Sequence, residues 1–271
     1  MPTTRITFHD LPQRVRAAIE AVTGPVASAV SISEGFNSAV AARLSTPAGD
    51  RFCKALPSDH PWVWTQGREA AIAPYLNGVA PELIGRVDVD GWDVLLFEAL
   101  DGHHADYSPG SSDLPAVMAL LEEIAAIPCP AVDLRDAGQR LRNYVNDPAD
   151  VQHFTGTALL HTDLNPANVI IDAGRGRIVD WGWATRGATW LDPAYWVVWL
   201  IAAGHHPAAA EQRASKTSAW HTATSEGVDA FVYAQAALWT EVGGRDPDDP
   251  WTARLTAAAQ RWAQFRRRVA E

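Results

Sequence analysis

The sequence predicts an α+β fold in two lobes, an antiparallel sheet followed by a mainly helical part. Three features carry that expectation. From Val26 to Phe97 the chain is broken into short apolar or alternating runs parted by turn residues, the pattern of strands and hairpins. Beyond Leu114 the apolar positions return at helical spacing over longer windows. Within that second half, Val169-Ile170-Ile171 and Arg177-Ile178-Val179 flank the turn Ala173-Gly174-Arg175-Gly176, so one further hairpin interrupts the helices. A chain of 271 residues can bury a sizeable core, as one domain of two lobes or as two small domains. The expected division is 1–97, a linker at 98–102, and 103–271.

Asp10-Leu11-Pro12 predicts the start of an amphipathic helix, with Asp as cap and Pro in the first turn, that ends near Gly24-Pro25. Strands are expected over Val26–Ser33, Ala39–Ser45 and Arg51–Leu56, with turns at Ser33–Ser38 and Pro47–Asp50. A helix from Thr65 to Asn77 is stopped by Gly78. Leu83–Val89 and Trp92–Phe97 form a hairpin around Asp90-Gly91, a strong turn signal. The polar, Gly- and Ser-bearing stretch His103–Asp113 reads as a mobile flap. Helices follow over Leu114–Ala126, Asp133–Val145, Pro193–Gly204, Ala208–Ser218, Gly227–Val242 and Trp251–Ala270.

The formal charge of −10 argues against a nucleic-acid partner, which needs a basic surface. It suits a cationic small molecule, and solubility explains it equally well. The two cysteines, Cys53 and Cys129, form neither a disulfide framework nor a metal spacing. The N-terminal segment scatters charges among its apolar residues, unlike a signal peptide. The longest apolar run, Ala194–Ala203, is too short to span a bilayer. A cytoplasmic protein without a membrane partner is expected. Lysine occurs only at positions 54 and 216, which singles out a lysine inside a strand.

The most informative stretch is His161-Thr162-Asp163-Leu164-Asn165-Pro166-Ala167-Asn168, followed by Asp180-Trp181-Gly182. The intervening hairpin is expected to return Asp180 beside Asn168. A carboxylate and an amide oxygen are both hard ligands, suited to a magnesium ion that carries nucleotide phosphates. Asp163 precedes the first strand of that hairpin and is placed to face a substrate hydroxyl. Such an arrangement is a phosphoryl-transfer layout.

These residues resemble the catalytic and metal loops of the aminoglycoside phosphotransferase family, small-molecule kinases with a protein-kinase-like fold. Thr162 stands where protein kinases carry Arg, and Trp181 where they usually carry Phe; both departures favour the small-molecule branch. The resemblance is strongest over 159–195, weaker over 30–102 and slight elsewhere. It implies an enzyme that uses ATP (or GTP) and magnesium to phosphorylate a hydroxyl of a small molecule, such as an aminoglycoside, another antibiotic or an amino sugar. The competing class is a non-catalytic nucleotide-binding module of the pseudokinase type. The short path from Asp180 to Asp192 has no room for the activation segment on which a protein kinase lays a peptide.

On this reading Asp163 is the catalytic residue, as base or as aligner of the acceptor, and Asn168 and Asp180 are the metal ligands. Lys54 contacts the phosphates and Glu69 holds it, the alternatives being an edge-strand lysine and a solvated glutamate. Ser33, Gly35, Asn37 and Ser38 form the loop over the phosphates. Glu98 to Leu100 offer backbone groups to the base, with Phe97 packed behind it. His161 is expected to be structural, bracing the loop. Trp183 and Trp190 either wall the acceptor site or fill the core. Asp192 either caps a helix before Pro193 or faces the acceptor. His205-His206 reads as a surface or helix-end pair, and Arg266-Arg267-Arg268 as a solvated face.

Overall fold

The structure is a computed structural model that describes residues 4–32, 38–76 and 78–270. The chain divides into two compact units: one comprises residues 1–103 with 177–183, the other 104–176 with 184–271. The fold class is the expected α+β one, a sheet-rich unit and a mainly helical unit.

The first unit is built on five antiparallel strands, β1 (Ser28–Ser31), β2 (Val40–Ser45), β3 (Arg51–Pro57), β4 (Leu83–Val89) and β5 (Trp92–Glu98), in the order β1-β2-β3-β5-β4. Asp90 and Gly91, both at positive φ, make the two-residue turn that their sequence announced. Strand alternation gives each face its job. Cys53 and Ala55 of β3 point into a core with Val40, Ala42, Leu44, Val94 and Leu96, covered by Val15 and Ile19 of helix α1 (Gln13–Thr23). Burial there pushes the Cys53 thiol up to about 12, so it stays protonated and inert. Phe52 and Lys54 take the opposite face, where Phe52 pairs with Phe97 and Lys54 with Leu95 across the β3–β5 ladder.

Local ends differ from expectation for identifiable reasons. Asp10 does not cap α1: its carboxylate accepts from the Thr7 amide and hydroxyl at 2.8 and 2.6 Å, and so closes a separate 3₁₀ turn. Helix α2 (Val63–Ile72) stops short of Gly78 because Pro74 turns the chain into a 3₁₀ segment.

In the second unit, α3 (Leu114–Ala125), α5 (Leu191–Ala202), α6 (Pro207–Ala214), α7 (Ser225–Arg245) and α8 (Pro250–Ala270) match expected helices within a few residues. His103–His104, where the two units divide, is a two-residue strand, β6. The stretch Asp133–Val145 does not form one helix. Arg135–Asp136 is a strand, β7, whose carboxylate caps a short α4 (Ala137–Leu141). A three-stranded sheet runs β7-β11-β8, with β8 at Ala158–Leu160 and β11 at Thr185–Gly187. Long-range pairing of Arg135 with Thr185 outweighs the local helical pattern. Strand β9 (Val169–Asp172) turns at Ala173 (φ 47°) and Gly174 (φ 79°) into β10 (Arg175–Ile178).

The core of this unit is aromatic. Phe231 of α7 makes edge contacts with Phe154, Trp190, Tyr195 and Trp262 at centroid distances of 4.9–6.3 Å. The stretch expected to be a flap is tied down instead. Ala105 N–H donates to the Val169 carbonyl, Tyr107 is buried, and its carbonyl meets His205 Nε2 at 2.9 Å. His205 is accordingly buried, whereas His206 caps α6 as a helix-end residue. Arg266 leaves the solvated face assigned to it and pairs with Asp229 and Glu211 at 2.7 and 3.4 Å. Among the described residues no helix is long and apolar enough to cross a membrane.

Candidate active site

Lys54 projects from the middle of β3, and Glu69 from α2, which packs beside it. Nζ of Lys54 donates to Glu69 Oε2 at 2.8 Å and to Asp180 Oδ1 at 2.6 Å. Lys54 and Glu69 are buried, and Asp180 is about one quarter exposed, at 28% of its side chain. Burial opposes the ammonium, yet Asp180 and Glu69 together outweigh it, so Lys54 is held above its ordinary range and stays charged. Burial raises Glu69, against the pull of Lys54. Its second oxygen accepts the Trp181 N–H at 3.2 Å. Asp180 has φ 65°, a left-handed conformation uncommon for a residue with a side chain. One ion cluster therefore gathers three residues singled out in the sequence, from β3, α2 and the turn after β10.

The turn Trp181–Trp183 fits against α2 closely. A Cβ on Gly182 would lie 2.8 Å from Thr65 Cβ, so only glycine allows the approach. Trp181 is buried and donates its indole N–H to the Ile178 carbonyl at 3.1 Å.

In the second unit, Asp163 lies in the loop between β8 and β9. Asn168 donates its amide N–H to Asp163 Oδ2 at 3.0 Å and to the Asp163 carbonyl at 3.2 Å. The Asp163 N–H donates to His161 Nδ1 at 3.2 Å, which requires that nitrogen to be unprotonated, and His161 is fully buried. Thr162 between them has φ 68°. Its strained backbone is held from below: the His161 and Thr162 amides each donate to one oxygen of Asp192 at 2.8 Å. Arg140 donates to the hydroxyls of Thr162 and Thr185, both at 2.6 Å. Asp192 is pushed up to about 6 by burial, against the two backbone donors and Arg140.

Two residues that the sequence left with alternatives are placed here. Asp192 is not the cap of its helix, whose N-cap is Trp190; both oxygens of its buried carboxylate accept from the backbone amides of His161 and Thr162. Trp190 is 3% exposed and packs on Phe154 and Phe231, so it fills the core rather than walling a site. Trp183 is half-buried against Trp62 and Trp64. In the linker, the Glu98 N–H is taken by the Glu82 carbonyl and the Leu100 carbonyl by Arg43. Those two backbone groups are thus committed within the unit, while Phe97 is buried on the face that carries Lys54. Ser38 is buried; Ser33, Gly35 and Asn37 lie outside the described residues. Sequence reasoning missed Arg140, Thr185, Trp62 and Trp64. Only the unusual abundance of tryptophan, 12 in the chain, pointed toward the last two.

The chain shares its fold with solved aminoglycoside phosphotransferases and a choline kinase. The model of the Phosphotransferase enzyme family matches residues 130–239, and the aminoglycoside phosphotransferase family to which the motifs pointed is the one the chain resembles. Among solved structures, a thermostable mutant of aminoglycoside phosphotransferase APH(4)-Ia in complex with ADP and hygromycin B is similar, with a TM-score of 0.61 at 17% identity, over 93% of this chain and 99% of that one. Choline kinase LicA from Streptococcus pneumoniae gives 0.61 at 14% identity, over 94% and 98%. An aminoglycoside phosphotransferase from Alicyclobacillus acidocaldarius gives 0.59 at 13% identity, over 96% of each chain. No curated protein matched the chain by sequence.

Proposed function

We propose that this chain is a magnesium- and ATP- (or GTP-) dependent phosphotransferase that phosphorylates a hydroxyl of a small molecule. The observation that carries the reading is the Lys54–Glu69–Asp180 cluster. A scarce lysine is buried and kept charged by two acids, at the cost of desolvating Lys54 and Glu69. Structural stability alone gives little reason for such a group, whereas phosphate recognition does.

In this role Lys54 supplies a fixed positive charge to the nucleotide phosphates and Glu69 fixes its direction. Asp180 and Asn168 are the residues that would hold magnesium. Asn168 suits that role by its chemistry: with its amide nitrogen committed to Asp163, the atom it has left for a cation is an oxygen, a hard donor. Bound magnesium supplies neutralisation of the phosphate charge. Asp163 orients the acceptor hydroxyl. As the new O–P bond forms and the bond from the γ-phosphorus to the β-bridging oxygen breaks, its carboxylate takes the hydroxyl proton and later releases it to water. In a loose transition state, alignment contributes more than deprotonation. His161, Thr162, Asp192 and Arg140 hold Asp163 in place.

The acceptor is a small, cationic molecule on this reading. The formal charge of −10 attracts cations, and the similar structures include a complex with hygromycin B and a choline kinase. The site of action is the cytoplasm. Incubation with labelled ATP, magnesium and a panel of aminoglycosides, amino sugars, alkylammonium alcohols and generic protein tests this. Label is expected on a small molecule and lost in Asp163→Ala. Nucleotide binding without transfer to any acceptor favours the regulatory module instead.

A further inference from the structure

Three tryptophans meet at the N-terminal end of α2. Trp62 is the residue before the helix, Trp64 lies in its first turn, and Trp183 closes the turn that follows Asp180. Their ring centroids are 5.5 Å apart for Trp62–Trp183, 5.2 Å for Trp64–Trp183 and 6.0 Å for Trp62–Trp64. Trp62 and Trp64 remain 36% and 37% exposed. Indoles left this open contribute less burial than interior ones; what they do contribute is a fixed contact between two segments.

Those segments are the ones that carry the acids on Lys54. Moving inward along α2, Thr65 abuts Gly182, and the Arg68 guanidinium lies 4.7 Å from the Trp64 ring centroid while reaching the Gly182 carbonyl at 3.5 Å. At the inner end Glu69 takes both the Trp181 N–H and the Lys54 ammonium, which also holds Asp180. The helix and the turn are thus joined from Trp62 to Glu69, with an aromatic contact at one end and the ion cluster at the other. Asp180, at φ 65°, depends on such restraint to stay where it is.

We propose that Trp62, Trp64 and Trp183 are positioning residues, an aromatic clamp that keeps α2 on the 181–183 turn and thereby keeps Asp180 and Glu69 on Lys54. The proposal rests on the reading of Asp180 as a metal ligand, and the test separates the two. The affinity of the full chain for ADP is measured by calorimetry with magnesium and with EDTA. Wild type is expected to bind more tightly with magnesium, and Asp180→Ala to lose that gain; no gain in wild type overturns the metal reading and the clamp together. The paired Trp62→Ala, Trp64→Ala variant is expected to lose about tenfold of the magnesium gain. Its affinity in EDTA and its melting temperature should change little. Trp183→Ala should behave alike, and Trp183→Phe, which keeps a ring in the contact, should recover most of the gain. A full magnesium gain in the folded Trp62→Ala, Trp64→Ala variant overturns the clamp while the metal reading stands. Equal weakening with and without magnesium also overturns it, as the mark of general loosening.

Discussion

Lys54 stands between two acids, and each of the three is understood only through the others. Removing the ammonium leaves Glu69 buried without its counter-charge and close to Asp180. Lys54→Met is therefore expected to lower the unfolding free energy at neutral pH by about 3–5 kcal/mol, the usual cost of breaking a buried ion pair from one side. Urea denaturation checks this, and an unchanged midpoint would contradict the burial argument. Asp192 makes a prediction in pH. Its folded value of about 6 lies above the ordinary 3.8, so the folded chain holds that proton more tightly than the unfolded one. The stabilisation is complete below the unfolded value and is lost as pH rises through the folded one. Between pH 4 and 6, by this linkage, it amounts to something on the order of 3 kcal/mol. In Asp192→Asn, which does not titrate, stability should fall less steeply over that window than in wild type. Parallel slopes for the two proteins would show that Asp192 does not titrate there.

At the scale of elements, the contact of α2 with the 181–183 turn leaves no spare room. Thr65 is pinned by its own hydroxyl, which donates to the Trp62 carbonyl at 2.7 Å, so it cannot yield to an added methyl. Gly182→Ala is expected to cost about 1–3 kcal/mol, because the helix has to shift to relieve overpacking. Chemical denaturation measures it, and a loss below a few tenths would mean that the helix moves freely. Helix boundaries show which local signals prevail. Pro74 ended α2 before the glycine expected to stop it, since a ring without an N–H acts at once. Asp249 caps α8 by accepting from the Trp251 and Thr252 amides. The short α4 arose because β7 pairs with β11, a partner some fifty positions away that no local pattern reveals.

For the molecule as a whole, nucleotide binding should appear as stability. A ligand that binds only the folded state at a hundred times its dissociation constant adds about 2.7 kcal/mol. Magnesium with ATP is therefore expected to raise the melting temperature in a concentration-dependent way, and Asp180→Ala to remove the rise. An acceptor found by the same screen should add a further shift in the presence of nucleotide. By itself the sequence determined β1 to β5, the β9–β10 hairpin and most helices, because alternation, turn residues and helical spacing are local properties. It also singled out candidates: Asp163, Asn168 and Asp180 by their joint spacing, Lys54 by the scarcity of lysine, and Glu69 as its partner on the next helix. Only the tertiary structure decided that Lys54 is shared by Glu69 and Asp180, that Asp192 and Arg140 hold the strained Thr162 backbone, and that Trp190 is core while Trp183 closes a contact with Trp62 and Trp64. Each of these joins residues far apart in the chain, where burial and hydrogen-bond geometry, rather than neighbouring sequence, set the partner.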